Sequence, residues 1–275
     1  MEYYEHIVKN RHSCRNFAPT KVEDDKLVAI REYYEEEESE LVEGIGTSLQ
    51  FFFGNVYETL SKSVGYNGYC IKAPTYMLLF SEEKDHYLEN AGYIAQGITL
   101  KMTELGLAAC WLTINDAAGV TAALNTDNDD DDSEEGMVLA CVIAFGYRDS
   151  SDDAKIAPKK SLDDMTDGYK YGKDIDTSRF YGEVEDGLRA IAHAQSFANK
   201  QPYKVIVDDD IISLVGIEDP DTNYNDTHLN YGIAMFNYYA VTYAVRADAP
   251  KWSFKSPERD LGLPAGVKYI AKCAL

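Results

Sequence analysis

Two guanidinium groups and a hydroxyl occupy alternate positions in Arg11-His12-Ser13-Cys14-Arg15-Asn16-Phe17. Donors spaced this way suit an anion such as phosphate, whose oxygens are met by bidentate guanidinium groups and short hydroxyls. Taken alone, the same pentad also reads as an exposed basic turn. Far downstream, Gln195-Ser196-Phe197-Ala198-Asn199-Lys200-Gln201-Pro202-Tyr203 gathers carboxamides, a hydroxyl and a lysine just ahead of a proline.

Other chemistries are absent from the sequence. The histidines, at 6, 12, 86, 193 and 228, show no metal-binding spacing, and His193 reads as a packed or hydrogen-bonded residue. Gly44-Ile45-Gly46 is followed by Leu49 where a dinucleotide fingerprint needs its third glycine; no P-loop lysine motif and no G-x-S-x-G elbow occur. The 5 cysteines form no C-x-x-C pair, so reduced thiols are expected. A net charge of −21 repels nucleic acid and anionic membrane surfaces, so neither is expected as a partner. Much of that charge lies in Glu35 to Glu38 and Asp127 to Glu135, read as solvated faces; the second run lacks the glycine and glutamate of a calcium loop. No apolar run is long enough for a membrane span and no signal-peptide pattern opens the chain, which points to the cytoplasm.

The elements that must position the two segments follow from periodicity. A helix over Tyr3 to Val8 leads into Arg11, and a second, roughly Glu23 to Leu41, starts from Thr20-Lys21-Val22-Glu23, a capping-box pattern. Thr75 to Phe80 and Met137 to Phe145 read as buried strands bounded by Pro74 and Gly146, with a core helix over Asn90 to Gly106 between them. Further on come a helix over Glu183 to Ala194, the loop Gln195 to Pro202, a strand Tyr203 to Val207 with a turn at Asp208 to Asp210, and a helix Leu229 to Ala244.

An internal echo runs through this order. Gly92-Tyr93-Ile94-Ala95, a helical stretch and Trp111 match Gly232-Ile233-Ala234-Met235, a helical stretch and Trp252, over 19 and 20 positions. Both tryptophans are expected in the core. The polar, Gly- and Asp-containing stretch Ser161 to Tyr181 places the boundary near Gly172, with halves at 1–171 and 172–275.

Together the Arg11 and Gln195 segments resemble the two flavin-binding signatures of the nitroreductase family of FMN proteins. In that family the second closely follows the first and serves the partner subunit. Here Gly46-Thr47-Ser48-Leu49-Gln50-Phe51 stands where it would be expected, without its Asn and Pro, while the second half lacks Arg-x-Ser-x-Arg. The complementary losses read as a fused duplication with one flavin pocket kept.

The resemblance implies an α+β fold, a three-layer α-β-α sandwich of two duplicated half-units, closest to the fused single-chain nitroreductase-like subgroup. It implies that Arg11 and Ser13, flanking His12, meet the FMN phosphate and that Arg15 faces flavin N1 and O2. Backbone amides at Leu112 and Thr113 would face O4 and N5, and Asn67 the pyrimidine side. Lys159 or Lys160, in Pro158-Lys159-Lys160-Ser161-Leu162-Asp163, would be the second phosphate cation, with Arg148 the fallback; solubility is the bland reading of the paired lysines. Ser196 and Asn199 would reach the ribityl chain and flavin edge, and Gln201 with Pro202 would shape the turn. The activity implied is hydride transfer from NADH or NADPH through flavin N5 to a nitroaromatic, quinone or related small-molecule acceptor. No protein acid or base is required. The other reading is a flavin-binding or degenerate, non-catalytic protein. A chain already carrying both halves is expected to be a monomer.

Overall fold

The structure, a computed structural model, describes residues 3–36, 40–124, 136–152, 157–244 and 251–275. The acidic run Asp127 to Glu135 and Glu37 and Glu38 of the other run lie outside them. The fold is mixed α+β, as expected, with two four-stranded sheets in two compact units, Arg11–Ile156 and Met1–Asn10 with Ala157–Leu275. The division thus falls at 156/157 rather than at 171/172. Residues 161–168 explain the difference, because they form a short helix and a strand that pair within the second unit's sheet.

The 11–156 unit contains α1 (Asp24–Glu35), β1 (Thr47–Phe53), α2 (Tyr57–Leu60), β2 (Thr75–Glu82), α3 (Tyr87–Glu104), β3 (Ala108–Leu112), α4 (Ala117–Leu124) and β4 (Met137–Gly146). Its sheet order is β1-β2-β4-β3, antiparallel throughout. One face shows the alternation expected of a strand: Tyr76, Leu78 and Phe80 of β2 cluster with Leu60 of α2 and Val120 of α4. α3 packs on β2, β3 and β4 without joining that cluster, and so covers the opposite face.

Two readings are corrected here. The helix expected to run to Leu41 ends at Glu35, and the capping box is not formed: the N-cap is Glu23, with no side-chain cap. Consecutive glutamates at that end repel the negative pole of the helix dipole, and the chain turns extended at Glu36. Thr47, Ser48 and Gln50, read as a decayed flavin loop, are instead residues of β1 paired to Ser81, Phe80 and Leu78.

The second unit begins with a short π-helix, Tyr4–Val8, and continues with α5 (Leu162–Met165), β5 (Thr166–Gly168), α6 (Gly182–His193), β6 (Tyr203–Asp208), β7 (Ile211–Ile217), α7 (Tyr224–Tyr243) and β8 (Val267–Ala274). Its order is β5-β6-β7-β8, with β5 parallel to β6 and the rest antiparallel; Ser253 adds an isolated bridge to Lys272 on β8. The turn expected over Asp208 to Asp210 is one residue shorter: Asp208 closes β6, paired to Ile211, and Asp209, at a φ of 51°, and Asp210 make a two-residue turn into β7. Trp252 is buried and donates through Nε1 to the Met235 carbonyl at 3.0 Å. Trp111 corrects the expectation of a matching core residue: it lies on β3 and is only partly buried.

Candidate functional site

In the 11–156 unit the Arg11 segment lies along β3 and the exit of β4. Cys14 donates its N–H to Ala109 at 3.1 Å, Ala18 to Tyr147 at 2.8 Å, and Asp149 to Asn16 at 3.0 Å, while Phe17 bridges Arg148. The alternation of Arg11, Ser13 and Arg15 then gathers these side chains around Cys110 of β3. Burial raises the Cys110 thiol above its ordinary pKa, opposed by the charges of Arg15 and Arg11 and by a hydrogen bond from Ser13. A thiol held protonated under two cations is a packing partner, not a nucleophile.

Arg11 is the electrostatic anomaly. Burial, reinforced by the charge of Arg148, pulls its pKa down to about 10, and its Nη1 is buried with no hydrogen-bond partner among the described residues. It still carries its charge at neutral pH, and a cation with a buried, unpartnered donor is costly unless an anion meets it. Arg148 is committed elsewhere, to an ion pair with Asp152. Asp152 also accepts the Arg15 backbone N–H at 3.3 Å, so this pair anchors the turn that carries the guanidinium groups. Neither role had a sequence signal, since Asp152 reaches Arg15 across 137 positions.

Leu112, buried at the end of β3, pairs with Val142, and the Thr113 carbonyl accepts from Gly65 at 2.8 Å. Asn67 lies at the tip of a tight hairpin in which Tyr66 and Tyr69 exchange backbone hydrogen bonds of 3.0 and 2.9 Å. Its φ of 50°, followed by Gly68 at 77°, suits a type I′ turn, which supplies a structural reason for Asn-Gly at this point.

The second unit brings the other predicted residues together. Lys159 Nζ donates to the Ala194 carbonyl at 3.0 Å and to Asn199 Oδ1 at 2.6 Å, and Asn199 Nδ2 donates to the Pro158 carbonyl at 2.8 Å. Lys160 donates its N–H to Gln201 Oε1 at 3.0 Å and its Nζ to the Gln201 carbonyl at 2.6 Å. Gln201 closes the loop, its N–H on Ser196 Oγ at 2.8 Å and its Nε2 on the Ala192 carbonyl at 2.5 Å. Lys160 is pushed below the ordinary lysine pKa by burial and then by the charge of Lys204. Ser161, standing where the family has proline, caps α5 by accepting from Asp164 N–H at 3.1 Å.

This loop carries backbone strain. Ala198, Asn199 and Gln201 sit at φ of 48°, 56° and 47°, each costing on the order of 1 kcal/mol for a residue with a Cβ. Three such residues so close together mark a conformation held by its surroundings. Sequence reasoning passed over Gln195, whose Oε1 and Nε2 are both buried with no hydrogen-bond partner among the described residues. Burial of that kind is a tertiary property with no local pattern.

His193 is packed, as expected. Its Nδ1 lies 3.0 Å from the Tyr4 hydroxyl and 3.0 Å from the Arg189 carbonyl. Among the described residues no group of three or more His, Cys, Asp or Glu is placed to hold a metal ion, and no helix is long and apolar enough to cross a membrane.

A family model described as "Putative TM nitroreductase" matches residues 2–238. A crystal structure of a protein described as a putative nitroreductase, from Thermotoga maritima, is similar with a TM-score of 0.62 at 15% identity, over 99% of this chain and 93% of that one; the likeness is one of fold. A nitroreductase with bound FMN from Bacteroides fragilis matches with a TM-score of 0.43 at 20% identity, over 58% of this chain and 96% of its own. The FMN-dependent nitroreductase NfnB of Mycobacterium smegmatis, in complex with NADPH, matches with a TM-score of 0.43 at 16% identity, over 58% and 95%. Scores this low carry no argument for the present chain. No protein with a curated description matches.

Proposed function

The chain belongs to the nitroreductase family whose model spans residues 2–238, and from that premise we propose that it is an FMN-dependent oxidoreductase supplied by NADH or NADPH. The observation that carries the proposal is the buried, unpartnered Nη1 of Arg11, on a turn that also presents Ser13 and Arg15. A phosphate group supplies the negative charge and acceptors that such a site lacks, so these residues fit the cofactor. Bound FMN supplies hydride acceptance at its N5 and onward reduction of a nitroaromatic, quinone or related small molecule.

The chain's own contribution is binding and orientation. Arg11 and Ser13 hold the phosphate, and Arg15, fixed through its backbone by Asp152, favours the reduced ring through its positive charge. Leu112 and Thr113 contribute as backbone at the end of β3, where the Thr113 carbonyl accepts from Gly65. Lys159, Lys160, Ser196, Asn199 and Gln201 are proposed to serve the same cofactor, giving one FMN per chain. The proposal also includes a monomer, a duplicated ancestry and a cytoplasmic location.

The test is purification followed by flavin analysis and turnover. The proposal expects a yellow protein with one FMN per chain that oxidises NADH or NADPH when given a nitro compound or quinone. A chain that neither retains nor takes up flavin overturns it, and flavin bound without turnover leaves a non-catalytic binder. Arg11→Ala should weaken FMN binding about ten- to a hundredfold, as loss of a charge-assisted contact does. Arg15→Ala should lower the flavin potential more than it weakens binding. Equal, negligible effects in both would move the site elsewhere.

A further inference from the structure

Gln195 sits at the start of the strained loop, and its carboxamide has the capacity for four hydrogen bonds, two given and two received. It is 7% exposed, and neither Oε1 nor Nε2 has a partner among the described residues. Buried carboxamides are normally satisfied, so an orphaned one calls for an explanation.

The rest of the loop sharpens the point. Asn199 uses both side-chain ends, on Lys159 and on the Pro158 carbonyl. Gln201 does the same, on Lys160 and on the Ala192 carbonyl. A general looseness of packing would not single out one carboxamide of three. An orphaned Nδ2 also occurs at Asn90 and at Asn230, at corresponding places on α3 and α7, and so belongs to the shared plan of the two units. Gln195 has both ends orphaned, on the loop that carries the flavin-like signature.

We infer that Gln195 is a flavin ligand, its Oε1 accepting from and its Nε2 donating to an adjacent donor and acceptor on the cofactor. This rests on the FMN reading above. Two parts of FMN offer that pairing: neighbouring ribityl hydroxyls, and the N3–H beside O4 on the ring. Asn199 and Gln201 act in this arrangement as positioning residues, holding the loop and its lysines while Gln195 makes the contact.

The experiment compares wild type with Gln195→Leu, which removes both polar atoms at similar volume, and with Gln195→Met as a second apolar replacement. Affinities of each apoprotein for FMN, riboflavin and lumiflavin are measured by flavin fluorescence, and the melting temperature of each apoprotein by calorimetry. The expected result is an FMN affinity lower by about tenfold with an apoprotein at least as stable as wild type, because an unpaired buried amide has been replaced by an apolar group. Loss confined to FMN and riboflavin assigns the ribityl hydroxyls, and loss shared by lumiflavin, which lacks them, assigns the ring edge. Unchanged FMN affinity in both variants shows that the carboxamide is satisfied by water and overturns the inference. A lower affinity accompanied by an apoprotein melting several degrees lower in both variants assigns a structural role and also overturns it. Wild type that binds no flavin at all fails at the earlier step, the cofactor assignment itself.

Discussion

In the 11–156 unit the chain runs β1, β2, α3, β3, β4 across a sheet ordered β1-β2-β4-β3. In the other unit it runs β6, β7, α7, the Ser253 bridge and β8, with the bridge lying on β8 as β3 lies on β4. The likeness extends to irregularities. The β2–β4 pairing slips between Leu79 and Phe80, leaving Ala140 as the extra residue, and the β7–β8 pairing slips between Leu214 and Val215, leaving Ile270. Asn90 on α3 accepts from Leu41 and Val42 at 2.9 and 3.0 Å, and Asn230 on α7 accepts from Phe197 at 3.1 Å, each holding the segment ahead of its unit's first repeated strand. By that count the counterpart of the Ser196 loop is the stretch just before Thr47, not β1 itself.

The differences lie in what was added to the shared plan. Between β1 and β2 the first unit carries α2 and the Tyr66–Tyr69 hairpin, whereas β6 and β7 are joined by Asp209 and Asp210 alone. Conversely, the second unit holds three left-handed residues and two clamping lysines ahead of β6. Ahead of β1, Glu82 accepts from Gly46 N–H at 2.6 Å and its ion-pair partner Lys84 donates to the Gly44 carbonyl at 2.8 Å, so an ion-paired lysine from beyond β2 closes this stretch. A common framework thus fixes strand order and bulge position, and specialisation is confined to its connections.

The comparison is broken most severely at Gly216 and Tyr231, which stand where the first unit has Ser81 and Ala91. A Cβ on Gly216 would lie 2.1 Å from the Tyr231 hydroxyl, on a ring that is itself buried. Gly216→Ser should cost about 2–3 kcal/mol through overpacking, a fall of roughly 5–10 °C in melting temperature. Adding Tyr231→Ala, which imports the first unit's pair, should recover part of that loss; a double variant no better than the single would break the positional match.

The two asparagines provide a sharper contrast. Asn90→Ala strands two backbone N–H groups and should lower stability by about 1–2 kcal/mol with flavin content per folded chain unchanged. Asn230→Ala frees Phe197 in the signature loop and should reduce FMN retention more than stability. Equal retention in both, measured by equilibrium dialysis, would separate the loop from the cofactor.

A smaller effect concerns acid. α6 ends in His193, whose imidazole is held below its ordinary pKa by burial first and then by nearby Lys159, Lys9 and Arg189, against a hydrogen bond to the Arg189 carbonyl. The unfolded chain then binds this proton more readily than the folded one, so the contribution is complete above the ordinary histidine pKa of about 6.5 and is lost as pH falls below it. His193→Gln should flatten the decline in melting temperature between neutral and mildly acidic pH. α1, with no basic residue in its last turn, offers no such dependence. Smallest of all, Thr47→Val and Gln50→Glu on β1 should leave flavin content unchanged, since both are strand residues.

How much was readable in advance follows the physics of each element. β2 and β4 declared themselves as apolar runs closed by Pro74 and Gly146, and α3 and α7 by their repeated glycine blocks. β1 was misread because Thr-Ser-Leu-Gln resembles a polar signature, yet its Leu49 is buried and its pairing with β2 is set by tertiary contact. β5, three residues long and parallel to β6, has too little length for a pattern. The Arg11 turn and the Ser196 loop were found through their motifs. The burial of Arg11 Nη1, the Asp152 anchor and the orphaned Gln195 depend on residues brought in from distant parts of the chain, which no local spacing encodes.

Residues 1–10 belong to the unit completed by residues 157–275, and Tyr4 meets His193 across 189 positions. During synthesis, therefore, this segment leaves the ribosome before the residues that complete its unit. The whole of Arg11–Ile156 can close as a continuous piece while Tyr4 and Val8, both destined for burial, await a partner that has yet to be translated. Refolding of the finished chain faces no such delay, so the order of assembly in the cell and in the test tube should differ most at these ten residues.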